Sequence, residues 1–318
     1  MTASEPMDLV YTWVDDSFLG YRELLNQYVA DKRDTNPNRT RDNLDLIRFS
    51  MRSVAQNLPG IRKIFLLSCR PQVPAWLDAD HPMIEVVHHD QIMDAGILPT
   101  FSSFGIVSHL HRLPGLSRRF LYFEDDMLAM SPDLLGHLQA ADGRPVVNLG
   151  RHWITPRAKL NPETSSPWNL ALSNIDIALS REFEDGPRRH IIHGPQLIDR
   201  DVMAEAEARY ADLFAVTRAN RFRSGDAIPP EVFVPHYALA TGQAVRASDA
   251  AARRVEGYAS IENFLPLTWW QLKRLERRKP LSITLNDSFG DRPNPRVVGL
   301  VRDHLNRWFP TPAPFERV

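Results

Sequence analysis

Two short apolar runs that stop abruptly at clustered acids constrain this chain more than any other feature. Met7 to Val14 is rich in β-forming residues and ends in Asp15-Asp16, and Arg119 to Phe123 ends in Glu124-Asp125-Asp126. Between them, the spacing of Leu44, Ile47, Met51 and Val54 predicts a helix over 41–57, stopped by Pro59-Gly60. Lys63 to Ser68 and Ile84 to His88 read as further strands, and Ser103 to Leu113 as a second helix. This order is the pattern of an α/β fold whose apolar strands are covered on both faces. Ligands of such sheets gather at the carboxyl ends of the strands, which is where the acids fall.

Beyond Ser131 the pattern is less regular. Trp168 to Ser180 starts as a helix, and Gln196 to Tyr210 reads as one with Leu197, Val202 and Ala206 on a single face. Phe264 to Arg278 is a basic, tryptophan-bearing helix, Ser282 to Leu285 a late strand running into Asn286-Asp287, and Pro295 to Phe309 an amphipathic helix. With 318 residues, 43% of them hydrophobic, one catalytic domain over residues 1–318 is expected, with an inserted subdomain at about residues 144–257. The formal net charge of −1 excludes a global field that draws nucleic acid or an anionic membrane, while local basic patches stay open. Cys69 is the single cysteine, so an intrachain disulfide and a cysteine zinc cluster are excluded, and its apolar run implies a buried thiol. Met1 to Met7 carries acid where a secretory leader carries base, and no later stretch is long and apolar enough to span a bilayer. A cytoplasmic protein is expected.

Asp125 and Asp126 have two readings. Adjacent carboxylates at a strand end suit a hard cation such as Mg²⁺ or Mn²⁺, which takes oxygen ligands and keeps waters that phosphate oxygens can replace. Acids in such positions also cap helices. Asp15-Asp16 carries the same two readings, and Asn286-Asp287 either completes a metal shell or marks a turn. His109 and His111 stand two apart, too close for a helical zinc pair, so one is a phosphate or acid–base candidate or a polar residue on a helix surface. His193 precedes the predicted helix from Gln196, a place suited to phosphate contact or proton transfer. Arg223 offers a planar fork for phosphate beside Asp226, or a surface ion pair. No Walker or dinucleotide glycine loop and no Gly-x-Ser-x-Gly elbow is present. The residues together describe an α/β enzyme with a phosphorylated substrate.

Four blocks, in order, resemble the Stealth-family sugar-1-phosphate transferases. That group holds bacterial capsule and exopolysaccharide phosphotransferases and the catalytic subunit of the lysosomal-enzyme GlcNAc-1-phosphotransferase. The first block is Asp8-Leu-Val-Tyr-Thr-Trp-Val-Asp15. The second runs from Arg41-Asp-Asn43 through Ser108-His-Leu-His-Arg112 to Phe120-Leu-Tyr-Phe-Glu-Asp-Asp126. The third spans His193 to about Tyr237, and the fourth is Leu285-Asn-Asp287. Ser102, Phe104 and Glu124 stand where the family pattern has asparagines, and Leu44 where it has an acid.

The resemblance implies a Rossmann-like, glycosyltransferase-A-like nucleotide-sugar-binding core with a mainly helical inserted or C-terminal region. It implies Mg²⁺ or Mn²⁺, a nucleotide-sugar donor, commonly a UDP-sugar, and an oligosaccharide or polysaccharide acceptor. An acceptor hydroxyl attacks the phosphorus nearest the sugar and nucleoside monophosphate leaves. A conventional metal-dependent glycosyltransferase, which releases nucleoside diphosphate, is the alternative. Asp125, Asp126, Asn286 and Asp287 are then expected at the metal and Asp15 beside the donor. His193 or His109 would transfer the proton, and Arg223 would stabilise phosphate. Trp13, Arg41, Asn43, His111, Arg112, Asn174 and Asp226 are the expected substrate-binding residues. Trp269 and Trp270 can stack on sugar rings, with core packing the ordinary role for at least one. Their helix also suits peripheral contact with the inner face of a membrane.

Overall fold

Leu9 and Tyr11 pack on one side of a central sheet and Val10 on the other, and the neighbouring strands repeat that alternation. The computed structural model describes residues 7–29, 40–183 and 186–317, so the acid-bearing N-terminal stretch lies outside the described residues except for Met7. In chain order the elements are β1 (Met7–Thr12), α1 (Tyr21–Tyr28), α2 (Leu46–Asn57), β2 (Ile61–Ser68), β3 (Ile84–His88), α3 (Ser103–Val107), β4 (Arg119–Glu124), β5 (Met127–Ala129) and α4 (Leu134–Leu138). There follow β6 (Val146–Val147), β7 (Leu149–Trp153), α5 (Pro167–Phe183), β8 (Arg189–Ile191), β9 (Gln196–Asp199), α6 (Arg200–Arg209), α7 (Ala211–Ala219) and α8 (Pro230–Ala240). The last are β10 (Val245–Arg246), α9 (Asp249–Val255), β11 (Tyr258–Ile261), α10 (Leu265–Arg278), β12 (Ser282–Asp287) and α11 (Pro295–Trp308).

The central sheet has the order β3-β2-β1-β4-β9, parallel except for the edge strand β9. Ile64, Leu66, Leu121 and Phe123 join Leu9 and Tyr11 against α2 and α4. Phe65, Leu67, Phe120 and Tyr122 join Val10 against α5 to α8, and Leu172, Ile198 and Phe233 belong to that same cluster. The α/β expectation therefore holds, with a parallel centre buried on both faces. Thr12 lies opposite Glu124 and Leu67, and Ser68 opposite His88, so four strands end at one edge. A second sheet, β11-β12-β5, leaves from that edge, with Asp125 and Asp126 forming the turn from β4 to β5.

Several predicted elements are shorter than their periodicity suggests. The helix over 41–57 begins at Leu46, because Asp42 Oδ1 accepts the Leu46 N–H at 2.7 Å and Asp45 adopts φ 61°. The helix over 103–113 ends at Val107. Ser108 Oγ and His109 Nδ1 both bond to the Gly105 carbonyl, at 2.7 and 2.8 Å, the acceptor a continuing helix would use. The predicted helix 196–210 divides, its first four residues being β9 and Asp199 capping α6 through the N–H groups of Asp201 and Val202. Cys69 lies just past β2 and is half-buried rather than buried, and burial pushes its thiol up to about 11, so it stays protonated.

The end of the described chain is clamped to α2. Glu316 lies 2.6 Å from Arg52 and 2.7 Å from Arg48, with side-chain exposure of 2% for Glu316 and 9% for Arg52. Burial acts to raise the Glu316 pKa, but Arg52, the Ala313 N–H and Arg48 outweigh it and hold the value near about 2. An unfolded glutamate titrates near about 4.3, so this stabilisation is present above that pH and is lost as pH falls through the folded value. Glu316→Gln leaves Arg52 buried without its counter-charge and is expected to cost about 3 kcal/mol. Thermal melts between pH 7 and 3 check this; an unchanged midpoint and acid limb in the variant would refute it.

Candidate active site

Glu124 is the last residue of β4, and two long-range pairings build a cluster around it. β9 runs antiparallel to β4 with Gln196 opposite Tyr122, so the residues leading into β9 arrive at the carboxyl edge. β12 pairs with β5, and from it Thr284 Oγ1 donates to the His193 carbonyl at 2.8 Å and the Leu285 N–H to the Asp126 carbonyl at 3.0 Å. His193 Nε2 then lies 3.2 Å from Glu124 Oε2. One donor atom from each of Glu124, Asp126 and His193 lies within 4.8 Å of the others. His193 thus leads into a strand, not a helix, and its position comes from strand pairing.

Burial opposes every charge in this cluster. It pushes Asp125 well above the carboxylate range, with Asp126, Asp42 and Glu124 adding repulsion. Asp126 is raised first by burial, with Glu124 adding and His193 opposing. Burial acts to raise Glu124 too, but the charge and hydrogen bond of His193 and the charge of Arg223 hold it below its ordinary value. For His193 burial favours the neutral ring, yet Asp126 and Glu124 prevail and raise it to about 9. Asp126 Oδ1 is buried without a hydrogen-bond partner. A carboxylate oxygen lacking a partner, among mutually repelling acids, fits a divalent cation held by carboxylate oxygens.

Two cavities meet here. One is lined by Trp13, Tyr21, Phe101, Asp125 and Phe222. The other is lined by Trp153, Trp168, His193, Glu231 and Tyr258, and Glu124 and Arg223 line both. In the first, the Phe101 and Phe222 rings stack at 5.2 Å, and Trp13 keeps a buried Nε1 without a partner. Arg223 donates from Nε to Ser103 Oγ at 2.8 Å and lies over the Phe104 ring, which aims its fork without neutralising it. Asn174 Nδ2 braces that loop by donating to the carbonyls of Gly225 and Ala227, both at 2.9 Å. A Cβ at Gly225 would stand 2.7 Å from Leu170, so the loop can approach α5 only as glycine.

Other predicted residues are engaged elsewhere. The Asp15 carboxylate accepts from Ser17 N–H and Oγ, at 2.9 and 2.8 Å, while its neighbour Asp16 is buried and holds Arg41 at 3.1 and 3.2 Å. Asn43 donates to Asp287 at 2.7 Å, and Asn286 to the Tyr258 hydroxyl at 3.0 Å. Neither Asp125 nor Asp287 is among the three converging donors. His109 is fully buried, and burial lowers it to about 4, leaving it neutral. His111 and Arg112 meet on Glu207 at 2.9 and 2.6 Å. Asp226 is exposed and accepts from Asn220 at 3.1 Å.

Three residues to which the sequence motifs assign no role belong to the cluster. Glu124 stands out in sequence as the first of the acids ending β4 and as a departure from the family pattern, with no role of its own. Asp42 lies near enough to raise Asp125, and burial pushes its own pKa up to about 7. Glu231, in the first turn of α8, is buried with Oε2 lacking a partner, and burial and Glu124 push it up to about 7. In sequence Glu231 follows Pro229-Pro230 and looks like an ordinary acid at a helix start.

The matches to known proteins fall on this cluster. Conserved region 2 of the Stealth proteins matches residues 39–140 and conserved region 3 matches residues 192–238. The capsular polysaccharide phosphotransferase SacB of Neisseria meningitidis serogroup A is 32% identical over 98% of this chain and 57% of its own length. The exopolysaccharide phosphotransferase SCO6023 of Streptomyces coelicolor is 30% identical over 98% of this chain and 52% of its own. The corresponding figures for CpsY of Mycobacterium leprae, also an exopolysaccharide phosphotransferase, are 33%, 98% and 57%. The chain spans about half the length of these curated relatives. Among solved structures, the galactosyltransferase LgtC aligns with a TM-score of 0.45 at 10% identity, covering 96% of this chain and 97% of that one. The matched regions supply Glu124 and Asp126 from the first and His193, Arg223 and Glu231 from the second, and the chain carries conserved regions 2 and 3 of the Stealth proteins.

Proposed function

We propose that this chain transfers sugar-1-phosphate from a nucleotide-sugar to a hydroxyl of a saccharide acceptor in capsule or exopolysaccharide synthesis. The observation that carries the reading is that Glu124 and Arg223 stand where two cavities meet, one lined by aromatic rings and the other by His193 and Glu231, with the Asp126 carboxylate beside them. The relatives named as capsular and exopolysaccharide phosphotransferases support it. In the reaction the acceptor oxygen bonds to the phosphorus nearest the sugar. The bond from that phosphorus to the oxygen of the nucleoside monophosphate breaks, and the electron pair leaves on that oxygen. The hydroxyl proton passes to a base, for which His193 is the candidate.

Glu124 and Asp126 would hold Mg²⁺ or Mn²⁺ through carboxylate oxygens, leaving the adjacent His193 for the proton, and the cation when bound offsets the charge of the diphosphate and the acids. Arg223, fixed by Ser103 and Phe104, presents its fork to the transferring phosphate. Trp13 and the Phe101–Phe222 pair offer a slot for a planar base. Incubation with a UDP-sugar and a saccharide acceptor is expected to release UMP in step with phosphodiester formation. Release of UDP instead would overturn the reading in favour of ordinary glycosyl transfer.

A further inference from the structure

We propose that α10 is a docking surface for a bilayer carrying anionic lipid headgroups. The helix packs onto the protein through Thr268, Leu272 and Leu275. Its outer face is not that of an ordinary solvated helix. Trp269 and Trp270 are 50% and 52% exposed, so neither fills the core, and Phe264, just before the helix, is 62% exposed. Trp269, Lys273 and Arg277 follow one another at intervals of four, and Trp270, Arg274 and Arg278 form the adjacent row. Each row begins with an indole and continues into cations.

Cations in a last turn complement the helix dipole, which accounts for Arg277 and Arg278 but not for two indoles left in water. Indoles settle at the level of lipid headgroups, and neighbouring Lys and Arg reach the phosphates. Charge favours the same occupant. The whole chain carries −1, yet this face gathers Lys273, Arg274, Arg277 and Arg278. The one acid of α10, Glu276, is shared by Lys273 at 2.6 Å, His304 at 3.4 Å and Arg307 at 3.8 Å. Arg278 is spent on the carbonyls of Arg253 and Glu256, and Arg274 lies over the Trp270 ring, so Arg274 and Arg277 are the cations left to face outward. β11, whose Tyr258 lines the second cavity, ends at Ile261, and Phe264 and α10 follow directly.

Flotation with phosphatidylcholine vesicles, with and without phosphatidylglycerol, tests the proposal on the whole chain. The protein is expected to float only with the anionic vesicles, to be released by high salt, and to shift its tryptophan emission to the blue on binding. Arg274→Gln with Arg277→Gln is expected to weaken partitioning about 30-fold, and Trp269→Ser with Trp270→Ser to remove the emission shift. These side chains are exposed, so both variants are expected to keep the parent melting temperature, and the arginine variant to keep UMP release with a soluble acceptor. No flotation with anionic vesicles, or equal flotation of parent and variants, would overturn the proposal. Retention on dextran sulfate that anionic vesicles do not compete would also overturn it, assigning the face to an anionic polysaccharide.

Discussion

Asp126→Asn is expected to lower sugar-1-phosphate transfer by about 10³-fold, with saturating Mn²⁺ or Mg²⁺ failing to restore it. Removing one carboxylate from the donor set forfeits several kcal/mol of charge stabilisation, and about 4 kcal/mol corresponds to that factor. The same change has an opposite effect on the metal-free protein. Asp126 is raised by burial and by Glu124, so its ionisation works against the fold. A carboxylate raised in the folded state costs stability as pH rises from its unfolded value towards the folded one, and that cost persists above it. The neutral amide removes the cost, so the metal-free variant is expected to melt a few degrees above the parent at pH 7. It should also lose most of the melting-temperature gain that Mn²⁺ gives the parent. Near-normal turnover with an unchanged response of the melting temperature to Mn²⁺ would sink the metal assignment. A fall in both melting temperatures would point to a structural role instead.

His193→Gln is expected to reduce kcat by between about 10² and 10⁴, the range for loss of a positioned acid–base group. The pH profile separates this role from mere support. Glu124 and Asp126 raise the imidazole to about 9 in the metal-free protein, and a cation on those carboxylates would pull it back down, so its neutral fraction in the loaded enzyme grows with pH below 9. If His193 takes the acceptor proton, kcat of the parent climbs over that range and kcat of the glutamine variant does not. A parent profile that is flat there, or a variant that keeps the same rise, removes His193 from proton transfer. Glutamine retains a hydrogen-bonding group for Glu124, so the change tests the titrating ring more than the 3.2 Å contact.

Much of the site is legible because its strands announce themselves. A continuous apolar run is what a parallel strand buried on both faces requires, and an acid directly after it marks the edge where the backbone leaves the core. That logic finds β1, β4 and β12 and the acids at their ends. It cannot rank those acids. Asp15 and Asp16 are chemically alike and adjacent, yet one caps a Ser17 turn and the other is buried against Arg41. Asp125 and Asp126 differ likewise: Asp126 converges with His193, while Asp125 lines the first cavity.

The departures from expectation share one physical source. Leu197, Val202 and Ala206 satisfy a helical period, but the first four residues of that stretch gain more by pairing with β4 than by extending α6. Propensity is a local quantity, and an edge strand offering unpaired backbone groups outweighs it. The same pairing places His193 beside Glu124, 69 residues earlier in the chain. Glu231 reaches the cluster only because α8 packs its first turn against the sheet, and nothing in Pro229-Pro230-Glu231 announces that contact.

The sequence by itself therefore determined the α/β class, the edge at which ligands gather and the acidic character of that edge, because each follows from short-range patterning of apolar and charged residues. Only the tertiary structure decided which acids meet His193 and Arg223, which are spent on caps and ion pairs, and where the two cavities join. Those choices rest on contacts between distant segments, where burial and charge select partners that no local period encodes.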